Sequence, residues 1–129
     1  MNKTDVHGVK IHNVTMHEAV QLIQSWVEES AAAPRAVYTP NSEIIMQAQR
    51  NAEFKNLLND ADLLVADGAG VILASRILKT PLKEKVSGID LVKNLIKAFS
   101  GKNVSFYILG GQPGVAEMAA VNIIEIGRA

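Results

Sequence analysis

Asp67 is the residue of this chain best placed to do chemistry. It closes the apolar run Leu63-Leu64-Val65-Ala66 and is followed at once by Gly68-Ala69-Gly70. A run of that length and composition predicts a buried strand, and Val71-Ile72-Leu73-Ala74 begins a helical pattern behind it. Asp67 therefore stands at the carboxyl end of a strand, where open α/β sheets gather their ligands. Gly68 and Gly70 leave the backbone bare, so a substrate can come close. A carboxylate in that place can meet a substrate and is the first candidate for a catalytic group. Aspartate also caps helices well, and the two readings of Asp67 occupy the same position.

Two more strand ends carry polar or glycine-rich turns: Thr39-Pro40-Asn41 and Gly110-Gly111-Gln112-Pro113-Gly114. In a parallel sheet all three turns emerge on one edge, so the topology predicts a shared crevice. The Gly110 turn precedes a helix whose free N–H groups and positive dipole end suit a phosphate, although a tight strand-to-helix turn needs the same glycines. Neither glycine group has the G-x-G-x-x-G spacing of a dinucleotide site, and there is no Walker motif. Lys85 could meet a phosphate or simply be solvated. Asp90 falls in the first turn of a helix, where its charge suits the dipole. Thr39 and Asn41 are equally competent turn or cap residues. His7, His12 and His17 show no metal-ligand clustering and read as surface residues. No Asp-x-Asp pair is present to hold a divalent ion on a diphosphate.

The elements that must position these groups alternate. Residues 6–11 read as an edge strand or small hairpin. Thr15-Met16-His17-Glu18 is a capping box opening a helix whose apolar face is Ala19, Val20, Ile23, Trp26 and Val27. That helix fades in the link Ala31-Ala32-Ala33-Pro34. Ala36–Thr39 is a short buried strand ended by Pro40. Asn41-Ser42-Glu43 caps a helix to Arg50, with Ile44, Ile45 and Met46 as core or as a self-association face, and a second short helix covers 52–59. After Gly70 a helix runs to about Lys79. Ser87-Gly88-Ile89-Asp90 opens another with the stripe Leu91, Val92, Leu95, Ile96 and Phe99, closed by Gly101. Val104–Leu109 is a third strand, and a helix with Met118, Ala119, Ile123 and Ile126 on one face follows it. The class is α/β, a Rossmann-like open and mainly parallel sheet with flanking helices. A sheet that closes on a helix expects a further strand, so residues 1–129 read as the amino-terminal part of one longer domain.

Composition bounds the function. A hydrophobic content of 48% supports a packed core. Thirteen basic and thirteen acidic residues cancel, which gives no field for nucleic acid. Cysteine is absent, which excludes thiolate chemistry and fits a reducing cytoplasm. No apolar run approaches the roughly 20 residues of a spanning helix.

Taken in order, Val6-x-Gly8-Val9, Thr15-Met16-His17-Glu18-Ala19-Val20, Thr39-Pro40-Asn41, Ala66-Asp67-Gly68-Ala69-Gly70-Val71, Val86-Ser87-Gly88-Ile89-Asp90 and Gly110-Gly111-Gln112-Pro113-Gly114 resemble the WecG/TagA/CpsF glycosyltransferases. Each motif is weak alone, and the ordered set spans nearly the whole chain. The resemblance implies an inverting hexosyltransferase that moves N-acetylmannosamine from UDP-ManNAc to the C4 hydroxyl of GlcNAc-diphospho-undecaprenol, in the linkage unit of wall teichoic acid. It implies a metal-independent enzyme without cofactor, peripheral at the cytoplasmic face of the membrane and forming a homo-oligomer. Asp67 matches the family's proposed general base, Thr39 and Asn41 the polar pair of the same pocket, and the Gly110 turn its glycine-rich strand end. The expected substrate-binding set is Thr39, Asn41, Gly68, Gly70, Lys85, Asp90, Gly110, Gly111 and Gln112, with no metal ligand. Lys85 stands where the family is expected to place arginine, and lysine lacks the forked grip on a diphosphate. The family's basic, membrane-associating carboxyl-terminal region is not in this stretch. The competing readings are an NAD-type oxidoreductase or other nucleotide-binding Rossmann domain, and a non-catalytic binding module in which Asp67 only caps.

Overall fold

The amino-terminal alternation folds as a hairpin, with β1 (Lys3–Val6) antiparallel to β2 (Val9–His12) in the register Val6↔Val9. Its turn places His7 at φ 52° and Gly8 at φ 83°. Positive φ at both central positions is the type I′ geometry that matches strand twist. Asp5 Oδ1 accepts from Gly8 N at 2.7 Å and locks the turn. The computed structural model describes residues 1–29 and 33–128, so the expected link at Ala31 and Ala32 lies outside the described residues.

The chain divides into two compact units, Met1–Leu91 and Val92–Ala129. In the first, α1 (Met16–Glu28) opens on Thr15, whose hydroxyl accepts from Glu18 N at 3.1 Å. The returning half of the capping box is altered. The Glu18 carboxylate takes the Thr15 hydroxyl at 3.3 Å and pairs with Lys83 Nζ, also at 3.3 Å. Asn41 caps α2 (Ser42–Arg50) and Asn51 caps α3 (Ala52–Asn59), each through a side-chain oxygen.

At the centre, β3 (Val37–Tyr38) and β4 (Leu63–Leu64) pair in parallel. The pairing continues past both strands: Val65 N donates to Tyr38 O at 3.0 Å and Asp67 N to Pro40 O at 3.2 Å. Leu64 and Ala66 of this strand pack in one core with Val6, Val9 and Ile11 of the hairpin, Ile45 and Ala48 of α2, Leu58 of α3 and Val71 of α4 (Ala69–Ile77). Ile45 thus joins the core, whereas Met46 is exposed.

After α4 the chain is stitched back onto this body. Leu82 N donates to Ser75 Oγ at 3.1 Å, Lys83 N to Asn13 Oδ1 at 2.7 Å, and Met16 N to Glu84 Oε2 at 2.9 Å. Val86 N then reaches Ala66 O at 2.7 Å, on the edge of β4 opposite β3. These bonds deliver the first turn of α5 (Gly88–Ala98) to the end of β4. Leu91, Ile96 and Phe99 of its expected stripe are buried, and Val92 is exposed.

Two expectations are corrected. Val104–Leu109 forms no strand: residues 104–109 join no ladder, and Tyr107 and Leu109 are 88% and 86% exposed. Apolar and aromatic composition favours an extended strand, but a strand exists only as one side of a paired ladder. His12, expected at the surface, is buried. In the second unit, Phe99 meets Phe106 edge to face at 6.3 Å, and the Ser100 hydroxyl bonds to the Gly127 carbonyl of α6 (Val115–Arg128).

Candidate functional site

The two readings of Asp67 are separated by where its side chain goes. The N-cap of α4 is Gly68, and α4 has no side-chain cap bond. Asp67 therefore does not cap the helix that follows it. Its Oδ2 instead accepts from Gly88 N at 3.1 Å, the first residue of α5. A carboxylate there sits on the positive end of that helix dipole, which favours its charge. Oδ1 makes no hydrogen bond among the described residues, and the side chain is half-buried. One oxygen is anchored and the other has no hydrogen-bond partner among the described residues.

Gly68 makes this divergence possible. Its φ of 95° and ψ of 151° lie in a region essentially restricted to glycine. The chain turns sharply between the acid and α4, and the start of α4 carries no side-chain cap bond.

Thr39 is drawn against the same point. A Cβ placed on Gly88 would lie 2.9 Å from Thr39 Oγ1 and 3.5 Å from its Cβ. The α5 terminus can approach Thr39, and hence hold Asp67, only because residue 88 has no side chain. Asn41 lies beside Gly68, with its Cβ 4.0 Å from the position a Gly68 Cβ would take. Ser42 stands by Gly70 in the same way, its Oγ 3.2 Å from the corresponding point. Thr39, Asn41, Asp67, Gly68 and Gly70 thus come together, from two of the three turns expected to share a crevice. Asn41 is also a cap, its Oδ1 accepting from Ile44 N at 3.0 Å. Thr39 and Pro40 further help line a mainly apolar cavity of about 330 Å³ with Val37, Tyr38, Ile44, Phe54, Leu57 and Leu58.

Lys85 is exposed, one residue before the Val86 amide that joins Ala66. Asp90 forms a reciprocal cap with Ser87: its N–H reaches Ser87 Oγ at 3.3 Å, and the hydroxyl donates to Asp90 Oδ2 at 2.9 Å. Gly110, Gly111 and Gln112 belong to the second unit, exposed ahead of α6, with Gly110 and Gly111 at φ 115° and 80°. Among the described residues no three of His, Asp and Glu gather as a metal cluster, and no helix is long and apolar enough to cross a membrane.

Three contributors lie outside the expected substrate-binding set: Val86 and Gly88, quoted only within a motif, and His12, read as a surface residue. Gly88 carried a usable signal, a glycine at the first helical position directly after a Ser cap. His12 carried none. In β2 the two-residue period puts it on the face of exposed Lys10, yet at the strand's end it turns under β4 and its Nδ1 accepts from Leu64 N at 2.9 Å.

The Glycosyl transferase WecG/TagA/CpsF family matches residues 4–126. Proteins of Staphylococcus aureus strains NCTC 8325 / PS 47, COL and MRSA252 are each 32% identical over 117 residues, which is 91% of this chain and 46% of each relative. Each is named N-acetylglucosaminyldiphosphoundecaprenol N-acetyl-beta-D-mannosaminyltransferase. The chain spans about half the length of these curated relatives.

Proposed function

This chain belongs to the WecG/TagA/CpsF glycosyltransferase family, and from that premise we propose that its protein moves N-acetylmannosamine from UDP-ManNAc to the C4 hydroxyl of GlcNAc-diphospho-undecaprenol, with inversion and with Asp67 as general base. The acceptor in this reading comes from the name of the relatives. The observation that carries the chemistry is the split carboxylate, Oδ2 anchored on Gly88 N and Oδ1 open.

In the reaction the acceptor oxygen attacks the anomeric carbon from the face opposite the nucleotide. The new C–O bond forms as the bond to the diphosphate breaks, UDP leaves with that electron pair, and the hydroxyl proton passes to Asp67. A positioned base contributes roughly 10²–10⁴-fold to such a step. Anchoring Oδ2 fixes the direction of Oδ1, so the base need not be ordered when the acceptor arrives. The leaving diphosphate needs donors where its charge grows. The uncapped N–H groups at the start of α4, next to Asp67 along the chain, suit that role, and Thr39 and Asn41 supply polar groups beside them. This assignment uses no metal. A lipid-linked acceptor puts the protein at the cytoplasmic membrane face, and self-association into a homo-oligomer completes the reading.

The test supplies UDP-ManNAc and a GlcNAc-diphospho-prenyl acceptor to the full-length protein and follows UDP release and the disaccharide-lipid product. Release that requires both substrates supports the proposal. Binding of NADH without binding of UDP, or UDP-sugar turnover indifferent to the acceptor, overturns it.

A further inference from the structure

We propose that His12 is a positioning residue for Asp67, its imidazole standing in for a neighbouring strand on the free edge of β4; this rests on the reading of Asp67 as the acid that meets substrate. The parallel neighbour, β3 and its continuation to Pro40, takes the N–H groups of Val65 and Asp67. The groups of the alternate residues point the other way, toward the side where a further strand would lie. No strand pairs there among the described residues. Instead Leu64 N donates to His12 Nδ1 at 2.9 Å, Val86 N donates to Ala66 O at 2.7 Å, and Gly88 N donates to Asp67 Oδ2 at 3.1 Å. These contacts follow one another along the strand, and the last is the anchor of the acid.

His12 is the first of the series and the only side chain in it besides Asp67. It is 7% exposed and the bond it makes is buried, so without it the Leu64 N–H has neither water nor a backbone partner. An unpaired buried N–H is costly. The strand would relieve that cost by shifting or fraying along this edge, and Val86 and Gly88 dock on the same edge. Accepting at Nδ1 requires a lone pair there, so the ring is neutral with its proton on Nε2. The charged groups that face the ring are Lys3, its register partner on β1, and the amino terminus. Leu63 and Leu64 of β4, and Val65 after them, bring none. Both charges oppose protonation, as does burial.

The experiment is amide hydrogen exchange by NMR on the full-length protein and on His12→Asn and His12→Leu. Asparagine offers an acceptor oxygen near the position of Nδ1, and leucine offers bulk alone. In His12→Leu the amides of Leu64 and Gly88 should exchange about tenfold faster or more, while Val65, bonded to Tyr38, keeps its protection. His12→Asn should restore both amides. Acidification should loosen Gly88 in the parent protein and not in His12→Asn. If His12→Leu does not fold, His12→Gln replaces it, its oxygen one methylene too far out. Acceleration at Leu64 with Gly88 unchanged, or Asn and Leu behaving alike, would overturn the proposal. In turnover, His12→Leu should lower kcat with KM little changed. Full turnover by Asp67→Asn would instead refute the role of the acid, while the exchange data would still report whether His12 holds the anchor.

Discussion

Replacing Asp67 with asparagine separates the proposed base from the scaffold. Asparagine keeps an amide oxygen where Oδ2 now accepts from Gly88 N at 3.1 Å, so the anchor to α5 survives. What the fold loses is the attraction between a charge and a helix N-terminus, about 0.3–1 kcal/mol. Against a domain stability on the order of 5–15 kcal/mol, that loss leaves the protein almost wholly folded at 25 °C. What the chemistry loses is the proton acceptor, worth roughly 10²–10⁴-fold in rate, or about 3–5 kcal/mol of barrier. The two effects differ by several-fold in free energy, so one variant tells them apart. The assay is initial-rate UDP release from UDP-ManNAc with saturating acceptor, run beside a thermal melt of the same preparation. The expected result is a collapse of kcat, KM for the donor within a small factor of the parent, and a melting shift of a few degrees. Turnover within about threefold of the parent would refute the base. A protein that no longer melts cooperatively would show that the charge holds the fold, and the reading of an open, working oxygen would fail with it.

Gly88→Ala puts a methyl 2.9 Å from Thr39 Oγ1, an overpacking that should cost about 1–3 kcal/mol by urea titration and displace the anchor of Asp67. Adding Thr39→Ala should return most of that stability through removal of the clash, and a double-mutant cycle with no coupling would contradict the contact. Burial first, and then the positive charges of Lys3 and the amino terminus, hold His12 below its usual 6.5. Its contribution to stability is therefore fully present above pH 6.5 and is lost as pH falls through the lower folded value, by at most about 1.4 kcal/mol per pH unit. Urea midpoints between pH 7.5 and 5 should show that slope in the parent and not in His12→Asn. Excess EDTA should leave turnover unchanged, and a loss restored by Mg²⁺ or Mn²⁺ would overturn the assignment of the diphosphate to N–H donors.

Local chemistry made much of this fold legible. The caps at Thr15 and Asn41, the hairpin at Gly8 and the strand end at Asp67 are each set by a few neighbouring residues, and they stand where the sequence puts them. What the sequence concealed depends on residues distant along the chain. Val104–Leu109 has every intrinsic feature of a strand, but ladder formation depends on a partner edge that no local window contains. His12 follows the two-residue alternation until β4 packs over the end of β2. Gly88 looks like a helix start and proves to be a gap that Thr39 fills. Of the site, two of the three expected strand ends were legible, those led by Thr39 and Asp67. How the acid is held was not, because its partner lies 21 residues further on.

Whether Asp67 caps a helix or serves as a base was posed by the sequence as a choice, and the geometry removes the opposition. A side chain that capped α4 would fold back over its own first turn, hiding both the carboxylate and the N–H groups that a phosphate would use. Gly68 prevents this by adopting a backbone conformation in which the residue before it is directed away from α4. The acid is handed to α5, which satisfies one oxygen and favours the charge of the group. α4 keeps its donors. Capping thus happens on a helix that is not the one following in sequence, and it fixes a carboxylate beside an uncapped helix start. A Gly68→Ala substitution should break this division of labour, since an L-residue at φ 95° is strained by about 1–3 kcal/mol. Relief of that strain would pull residue 67 toward α4, and donor affinity and kcat should then fall together. Loss of kcat alone, with UDP binding intact, would mean that the donors of α4 do not hold the nucleotide.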